Sequence, residues 1–187
     1  MSNTSIKLVI EILKKQNYSP SPINENYSEI QWIDESEDRC FIEEDFIDHF
    51  ADNIAWFQSS DNDRHILKIY NKNTEFSWIP ITHNPIYGCI PILVKWYGDT
   101  LLFIYKEKHD IYICSIHNES VNHINYYGDE LMINKNLLAY TEYKDIVSLI
   151  KIPELIPLEN ISKEKAKEMD LVPVDIRELD HSVLKTK

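Results

Sequence analysis

The chain has 187 residues, of which 43% are apolar and 11% aromatic, with a formal net charge of −12. This composition excludes a disordered chain, and the length suits one hydrophobic core. No run of about 18 apolar residues predicts a membrane span, no export signal is visible, and three widely spaced cysteines (Cys40, Cys89 and Cys114) exclude a disulfide framework. We therefore expect a soluble cytoplasmic protein. Abundant isoleucine and asparagine with only three glycines suggest an AT-rich microbial genome, and we expect a bacterial source.

The first predicted element is a helix over residues 4–17. Thr4 or Ser5 can cap it, and two lysines near its end suit the helix dipole. Apolar residues recur at helical spacing: Ile6, Val9, Ile10 and Leu13. Pro20 and Pro22 then indicate a loop, and residues 28–33 a strand.

Residues 41–51 are predicted to form a second, acidic helix. Its apolar residues fall at i, i+4, i+5 and i+8: Ile42, Phe46, Ile47 and Phe50. Glu44, Asp48 and Asp52 lie four residues apart on another face, where each like-charge pair costs about 0.2–0.5 kcal/mol. We infer that something other than local helix stability maintains these acids.

Residues 53–152 have a β pattern. Val, Ile and aromatic residues cluster in segments that polar dipeptides separate, and the segment 110–116 alternates apolar with polar side chains. An antiparallel meander is therefore predicted, with strands at 53–58, 64–70, 74–80, 90–97, 100–107, 110–117, 121–126, 130–134, 136–142 and 145–152. The segment 96–99 resembles 126–129, through either an internal repeat or shared turn chemistry.

The C-terminal part begins at Pro153. Ser162 can cap a short charged helix through Met169, and residues 171–174 form an edge strand or an extended arm. The predicted fold class is α+β, mainly an antiparallel β-sheet meander with an N-terminal helix, a second acidic helix and a short C-terminal helix. We expect one domain over 1–176 and a polar tail, with these parts: 1–60 (acidic, helix-containing), 61–152 (β-rich), 153–176 (C-terminal helix or arm) and 177–187 (tail).

The negative charge lies in one stretch. Residues 25–63 contain thirteen acids and one base, Arg39, so they carry the whole net charge of −12. The other 18 acids and 18 bases balance. A local excess of charge produces a directional field, and such fields steer oppositely charged partners.

Known catalytic patterns are absent from the sequence. The three glycines are isolated, so there is no phosphate-binding loop, and neither G-x-S-x-G nor H-E-x-x-H occurs. Asp45 and His49 could share a metal on a helix, but a third ligand is missing. No basic patch favours direct nucleic-acid binding. We expect no cofactor, no metal site, no catalytic residue and no enzymatic activity.

The first functional hypothesis is a protein-binding module that masks a basic partner through an acidic surface. Its predicted partner-binding residues come from the acidic stretch: Asp34, Glu35, Glu37, Asp38, Glu44, Asp45, Asp48 and Asp52. In general character alone, such small acidic α+β chains resemble immunity proteins that neutralise nuclease-like toxins, or phage-encoded nucleic-acid mimics. The resemblance implies a basic partner, such as a toxin domain. A well-solvated acidic face without any partner is the alternative.

The second hypothesis is a small enzyme or ligand-binding protein that uses an aromatic-lined pocket on the sheet. The aromatic residues behind it are Trp78, Trp96, Tyr97, Tyr126 and Tyr127. Such rings also serve as ordinary core residues. A third reading is a subunit of a larger assembly.

Overall fold

A computed structural model describes residues 4–23, 28–62, 64–78, 86–87, 89–107, 110–126, 130–134, 136–143 and 145–174. It is mainly antiparallel β-sheet, with an N-terminal helix and one other short helix, which confirms the α+β class. The chain forms two compact units, an N-terminal unit (Met1–Tyr126) and a C-terminal unit (Tyr127–Lys187). The single domain expected over 1–176 stays a prediction.

Helix α1 (Thr4–Lys15) confirms the first predicted element, although it ends two residues early. Asn17 adopts a left-handed conformation (φ 65°), and the N–H of Tyr18 donates to the carbonyl of Leu13 at 3.0 Å. The N–H of Asn17 donates to the carbonyl of Lys14. These bonds form a Schellman motif, which satisfies the last carbonyls and ends the helix.

The first sheet of the N-terminal unit has eight strands, all paired antiparallel. They are β1 (Ser21–Pro22), β2 (Glu29–Ile33), β3 (Arg39–Glu43), β4 (Ile47–Phe50), β5 (Asn53–Ser60), β6 (Arg64–Asn71), β7 (Phe76–Trp78) and β8 (Ile86–Tyr87). The order is β1-β2-β3-β5-β6-β7, while β4 also pairs with β5 and β8 with β6. The strands predicted at 28–33, 53–58 and 64–70 are confirmed.

The acidic helix predicted over 41–51 is wrong. The stretch holds the end of β3, a 3-10 turn (Glu44–Phe46) and β4. In β3, Cys40 and Ile42 are buried while Arg39 and Glu43 are exposed, which is the alternation of a strand.

Tertiary pairing explains why the helical pattern failed. Four apolar residues within nine positions fit either period, so the pattern alone does not decide. In β4, pairing with β5 supplies the backbone hydrogen bonds, and it avoids the stacked carboxylates that a helix would place at Glu44, Asp48 and Asp52. Asp45 therefore lies in the 3-10 turn and His49 in a strand, rather than on one helical face.

The second sheet of this unit is a four-stranded meander, as the alternation predicted. Its strands β9 (Cys89–Tyr97), β10 (Thr100–Glu107), β11 (Asp110–His117) and β12 (Ser120–Tyr126) pair in chain order. The turn between β11 and β12 places both Asn118 (φ 48°) and Glu119 (φ 63°) in the left-handed region. Positive φ at both central residues is the geometry that tight hairpins require.

The N-terminal unit has a core on each face of its first sheet. One core packs α1 against the sheet through Ile6, Val9, Leu13, Ile30, Trp32, Cys40, Ile42, Ile54, Trp56 and Tyr70. The other packs the two sheets together through Ala55, Phe57, Leu67, Ile69, Val94, Leu101, Phe103 and Cys114. Four rings continue this second core: Phe57 contacts Phe103, which stacks on Tyr105, which stacks on Tyr112.

The C-terminal unit is a five-stranded antiparallel sheet in the order β16-β15-β14-β13-β17. Its strands are β13 (Leu131–Ile133), β14 (Leu137–Tyr143), β15 (Ile146–Lys151), β16 (Ile156–Ser162) and β17 (Val172–Val174). They confirm the strands predicted at 130–134, 136–142 and 145–152 and the edge strand at 171–174. One face packs on α2 (Lys163–Lys167) through Ala139, Val147, Leu149, Ile161 and Ala166.

Helix α2 is a short element. The Ser162 hydroxyl accepts from the Lys165 N–H at 3.3 Å, but only five residues are helical, so a helix through Met169 is not confirmed. Of the helices in the described residues, none has the length and apolarity that crossing a bilayer requires. The second copy of the suggested repeat, at 127–129, and the tail at 177–187 lie outside the described residues.

Candidate functional site

The structure distributes the eight predicted partner-binding acids over four parts of the first sheet. The turn between β2 and β3 carries Asp34, Glu35, Glu37 and Asp38. The 3-10 turn carries Glu44 and Asp45, while Asp48 lies in β4 and Asp52 in the turn before β5. Their hydrogen bonds divide them into two classes, acids engaged within the fold and acids with free carboxylates.

Asp34 organises the turn between β2 and β3. Its Oδ1 accepts the backbone N–H groups of Ser36 at 2.8 Å and Asp38 at 3.0 Å. Burial raises the pKa of Asp34, but these N–H donors and the Arg64 cation outweigh burial and hold the pKa below its usual value. The carboxylate of Asp34 is therefore a structural part of the turn.

Arg64, the first residue of β6, brings a positive charge to this turn, although β5 lies between β3 and β6 in the sheet. Its Nη2 donates to Oδ2 of Asp34 at 2.8 Å and approaches Oδ2 of Asp38 at 3.0 Å. Asp38 also accepts a hydrogen bond from the Asn62 side chain. In the sequence, Arg64 lies one residue beyond the acidic stretch, so a count along the chain assigns its charge elsewhere.

Asp48 and Asp52 are also engaged inside the fold. Oδ2 of Asp48 accepts the backbone N–H of Trp96 at 2.7 Å and lies 3.5 Å from Nζ of Lys95, and its side chain is only 19% exposed. Oδ2 of Asp52 accepts from the Asn73 side chain at 2.8 Å. Local structural bonds therefore account for both acids, which as helical residues would have been unfavourable.

The other four predicted acids have free carboxylates. In the part of the chain that the structure describes, no hydrogen bond or ion pair involves the side chains of Glu35, Glu37, Glu44 and Asp45. Glu35 and Glu37 lie at one end of the β2–β3 hairpin, and Glu44 and Asp45 follow its other end. These four remain predicted partner-binding residues.

Two further acids, missed as candidate site residues, join Glu44 and Asp45. Glu29 and Glu43 are cross-strand partners in the β2–β3 ladder, which places their side chains on the same face of the sheet. We call Glu29, Glu43, Glu44 and Asp45 the hairpin-end cluster. Only the strand register reveals it, because Glu29 and Glu43 are fourteen positions apart in the sequence.

The environment of the hairpin-end cluster disfavours the charged form of Glu43. Desolvation raises the pKa of Glu43, and the negative charges of Glu29 and Asp45 raise it further. The cluster lines a shallow cavity of about 220 Å³ together with Ser28. Its described residues can therefore offer several convergent acceptors to a cation, such as an ammonium or guanidinium group.

Other potential chemistry lies mostly in the core. Burial raises the pKa of Cys40 to about 11 and that of Cys89 and Cys114 to about 12, so these thiols are inert packing groups. Among the described residues, no three His, Cys, Asp or Glu side chains group as metal ligands would.

Two of the aromatic residues proposed to line a pocket pack in or near the core. Trp96 packs against the core between the two sheets. Tyr97 is half-buried, and burial raises its pKa. The side chains of Trp78, Tyr126 and Tyr127 lie outside the described residues.

Comparison of the chain with protein-family models, with curated proteins and with solved structures finds no match in any of the three. The acidic surface is therefore interpreted through its own geometry and charge.

Proposed function

We propose that the protein is a binding module that masks or neutralises a basic protein partner, such as a nuclease-like toxin domain that it would counter as an immunity protein. Its contact surface is the hairpin-end cluster, extended by Glu35 and Glu37 at the opposite end of the β2–β3 hairpin. A cationic groove that binds phosphates would be occupied by these carboxylates, since oppositely charged surfaces associate rapidly and in register.

The observation that carries the proposal is the pairing of Glu29 opposite Glu43 in the β2–β3 ladder, with Glu44 and Asp45 directly after it. Desolvation and the charges of Glu29 and Asp45 raise the pKa of Glu43, whereas Asp34, Asp38 and Asp48 each have a cation or a backbone N–H in place. The Gln31 amide donates to Glu29 at 3.1 Å, but among the described residues no cation pairs with this cluster. Neighbouring carboxylates of this kind are typical of groups kept for an external cation.

The structure also identifies which substitutions test the surface. Asp48 and Asp52 are poor choices, because lysine there would break bonds within the fold. Glu44→Lys with Asp45→Lys reverses two free carboxylates. The matched control is Glu11→Lys with Glu168→Lys, which changes the net charge equally at two exposed positions, on α1 and just after α2.

The experiment uses co-expression of the full chain with the product of the neighbouring gene, followed by measurement of the dissociation constant at about 50 and about 300 mM NaCl. We expect tight binding that weakens steeply with salt. The Glu44/Asp45 variant should lose at least about tenfold in affinity and most of the salt dependence, since both come from the removed charges. The control variant should stay within about threefold.

Two results would contradict the proposal. Equal losses in the cluster variant and in the control would mean that net charge alone acts. Tight binding that neither salt nor the cluster variant changes would remove the acidic surface from the interface. The alternatives are a small enzyme or ligand-binding protein and a subunit of a larger assembly. A screen of the purified chain for hydrolase activity tests the enzyme alternative.

A further inference from the structure

The first sheet presents an open face that includes part of the hairpin-end cluster. Along β2 and β3 the buried residues Ile30, Trp32, Cys40 and Ile42 point toward α1, so the alternate residues point to the opposite side. The strand register arranges that side in three rows: Ile23–Glu29–Glu43, Ser21–Gln31–Phe41 and Ile33–Arg39. We call these eight residues the open face.

The open face has apolar side chains in contact with solvent. Ile33 is 57% exposed and Ile23 is 52% exposed, and Phe41 is half-buried in the middle row. Most large apolar residues of the unit are buried. Ile33 and Phe41 lie diagonally in adjoining rows, and Ile23 lies in the first row of the same face. Exposed apolar residues that adjoin one another, with polar neighbours, are typical of interaction surfaces.

Among the described residues, the main contacts of the second sheet lie away from this region. The second sheet packs on the first sheet mainly through β4, β5 and the 3-10 turn, all of which contact β9. Ser59 of β5 is buried, whereas its cross-strand partner Phe41 of β3 is only half-buried. The covered part of the sheet therefore ends near β3, and the strands β1 to β3 continue beyond it.

The dimensions of the open face suit one helix. Three strands span roughly 10 Å across, and the five residues of β2 span roughly 16 Å along the chain. An α-helix is about 10–12 Å wide, and about 11 of its residues extend 16 Å. A sheet face of this size is commonly covered by a helix that contributes an apolar stripe.

The negative charge of the open face favours a helix with basic side chains. Glu29 and Glu43 lie within the open face, and Glu44 and Asp45 follow at its edge. The positive charge of Arg39 is matched by Asp61 at 3.0 Å. A second copy of this chain would bring the same carboxylates against themselves, which is unfavourable.

We propose that the open face is the docking site for a basic amphipathic helix of the partner. Its apolar side chains contact Ile23, Ile33 and Phe41, while its lysines or arginines reach Glu29, Glu43 and the cavity beside them. This inference rests on the proposed function and adds to it an apolar centre and the secondary structure of the partner segment.

The test uses two synthetic peptides of about 18 residues, with equal numbers of leucine and lysine. One has its leucines along one helical face, and the other is a scrambled isomer without such a face. Fluorescence anisotropy measures their binding to the full chain. We expect the amphipathic peptide to bind at least about tenfold more tightly, and tenfold corresponds to about 1.4 kcal/mol.

Variants then locate the binding. Ile33→Ser with Phe41→Ser should weaken binding of the amphipathic peptide about tenfold. The salt dependence of binding should change little, because the substitutions remove apolar contact and keep every charge. Val121→Ser removes an exposed valine from β12 and is the matched control. If Phe41→Ser prevents folding, the same measurement is made on Ile23→Ser with Ile33→Ser, which replaces two exposed residues.

The outcomes separate this inference from the proposed function. Equal binding of the two peptides, or binding unaffected by both open-face variants, would overturn the helix-docking site while an acidic surface for a basic partner remained. Peptide binding unaffected by Glu44→Lys with Asp45→Lys would count against the proposed function itself. A dimer in sedimentation analysis that Ile33→Ser dissociates would overturn the inference by making the open face a contact between copies.

Discussion

The carboxylate of Asp48 accepts a 2.7 Å hydrogen bond from the backbone N–H of Trp96 and thereby joins the two sheets of the N-terminal unit. Asp48 lies in β4 of the first sheet and Trp96 in β9 of the second. Lys95 lies 3.5 Å from the same oxygen. One residue of the acidic stretch is thus a structural bond between layers, and its replacement should act on stability.

We expect Asp48→Ala to lower the free energy of unfolding by about 1–3 kcal/mol. The change removes a charge-assisted hydrogen bond and leaves the Trp96 N–H without its acceptor. Urea denaturation measures the effect, with Glu44→Ala as the control, because that free carboxylate should cost less than about 0.5 kcal/mol. Equal stability of the two variants would show that the bond contributes nothing.

The carboxylate of Asp34 should make stability depend on pH in the acid range. The pKa of Asp34 in the folded chain lies below the ordinary 3.8. Its contribution to the free energy of unfolding is therefore present above pH 3.8 and is lost as pH falls through the folded pKa. We expect Asp34→Asn to be less stable than the wild type at pH 7, and the difference to shrink as pH falls below 3.8 and through the folded pKa. Denaturation across this range checks the sign, and a difference that grows at low pH would contradict it.

Glu43 should show the opposite behaviour. Its pKa is raised in the folded chain, so its ionisation lowers stability as pH rises through its unfolded and then its folded pKa. Because Glu43 is exposed, we expect Glu43→Gln to stabilise the chain at pH 7 by only about 0.5 kcal/mol, and by nothing below about pH 4.

Glu43→Gln should also weaken binding of the basic partner, because it removes one carboxylate from the surface that faces the partner's cations. Paired measurements of melting temperature and of the dissociation constant test this trade-off between stability and binding. Gln31→Glu adds a carboxylate to the same face of β2 and removes the amide that donates to Glu29 at 3.1 Å, so it should change both quantities in the other direction. Loss of stability in Glu43→Gln would show that the carboxylate serves the fold.

The three thiols should be unreactive in the native protein. Burial raises their pKa values to about 11 for Cys40 and about 12 for Cys89 and Cys114, so almost no thiolate is present at neutral pH. A chromogenic disulfide reagent should label all three within minutes in denaturant and label the folded chain only at the rate of unfolding. Rapid labelling of one thiol in the folded chain would identify an exposed, reactive site.

Local sequence patterns predicted most of the strands because their causes are local. The alternation in 110–116 and the turn residues between strands both follow from backbone geometry within a few residues. The helix α1 was equally visible, since its apolar stripe and its Asn17 terminus lie within one segment. The stretch 41–51 failed because its few apolar residues fit two periods, and the choice depended on whether β5 was available as a partner.

The acidic stretch shows the same division at the level of function. Its position and its charge of −12 are properties of the sequence, because counting residues needs no coordinates. Only the tertiary structure decided which of these acids are used internally, by bringing Arg64 to Asp34 and Asp38 and the N–H of Trp96 to Asp48. It also placed Glu29 opposite Glu43. Electrostatic interactions depend on distance through space, and the strand register sets that distance where separation along the chain does not.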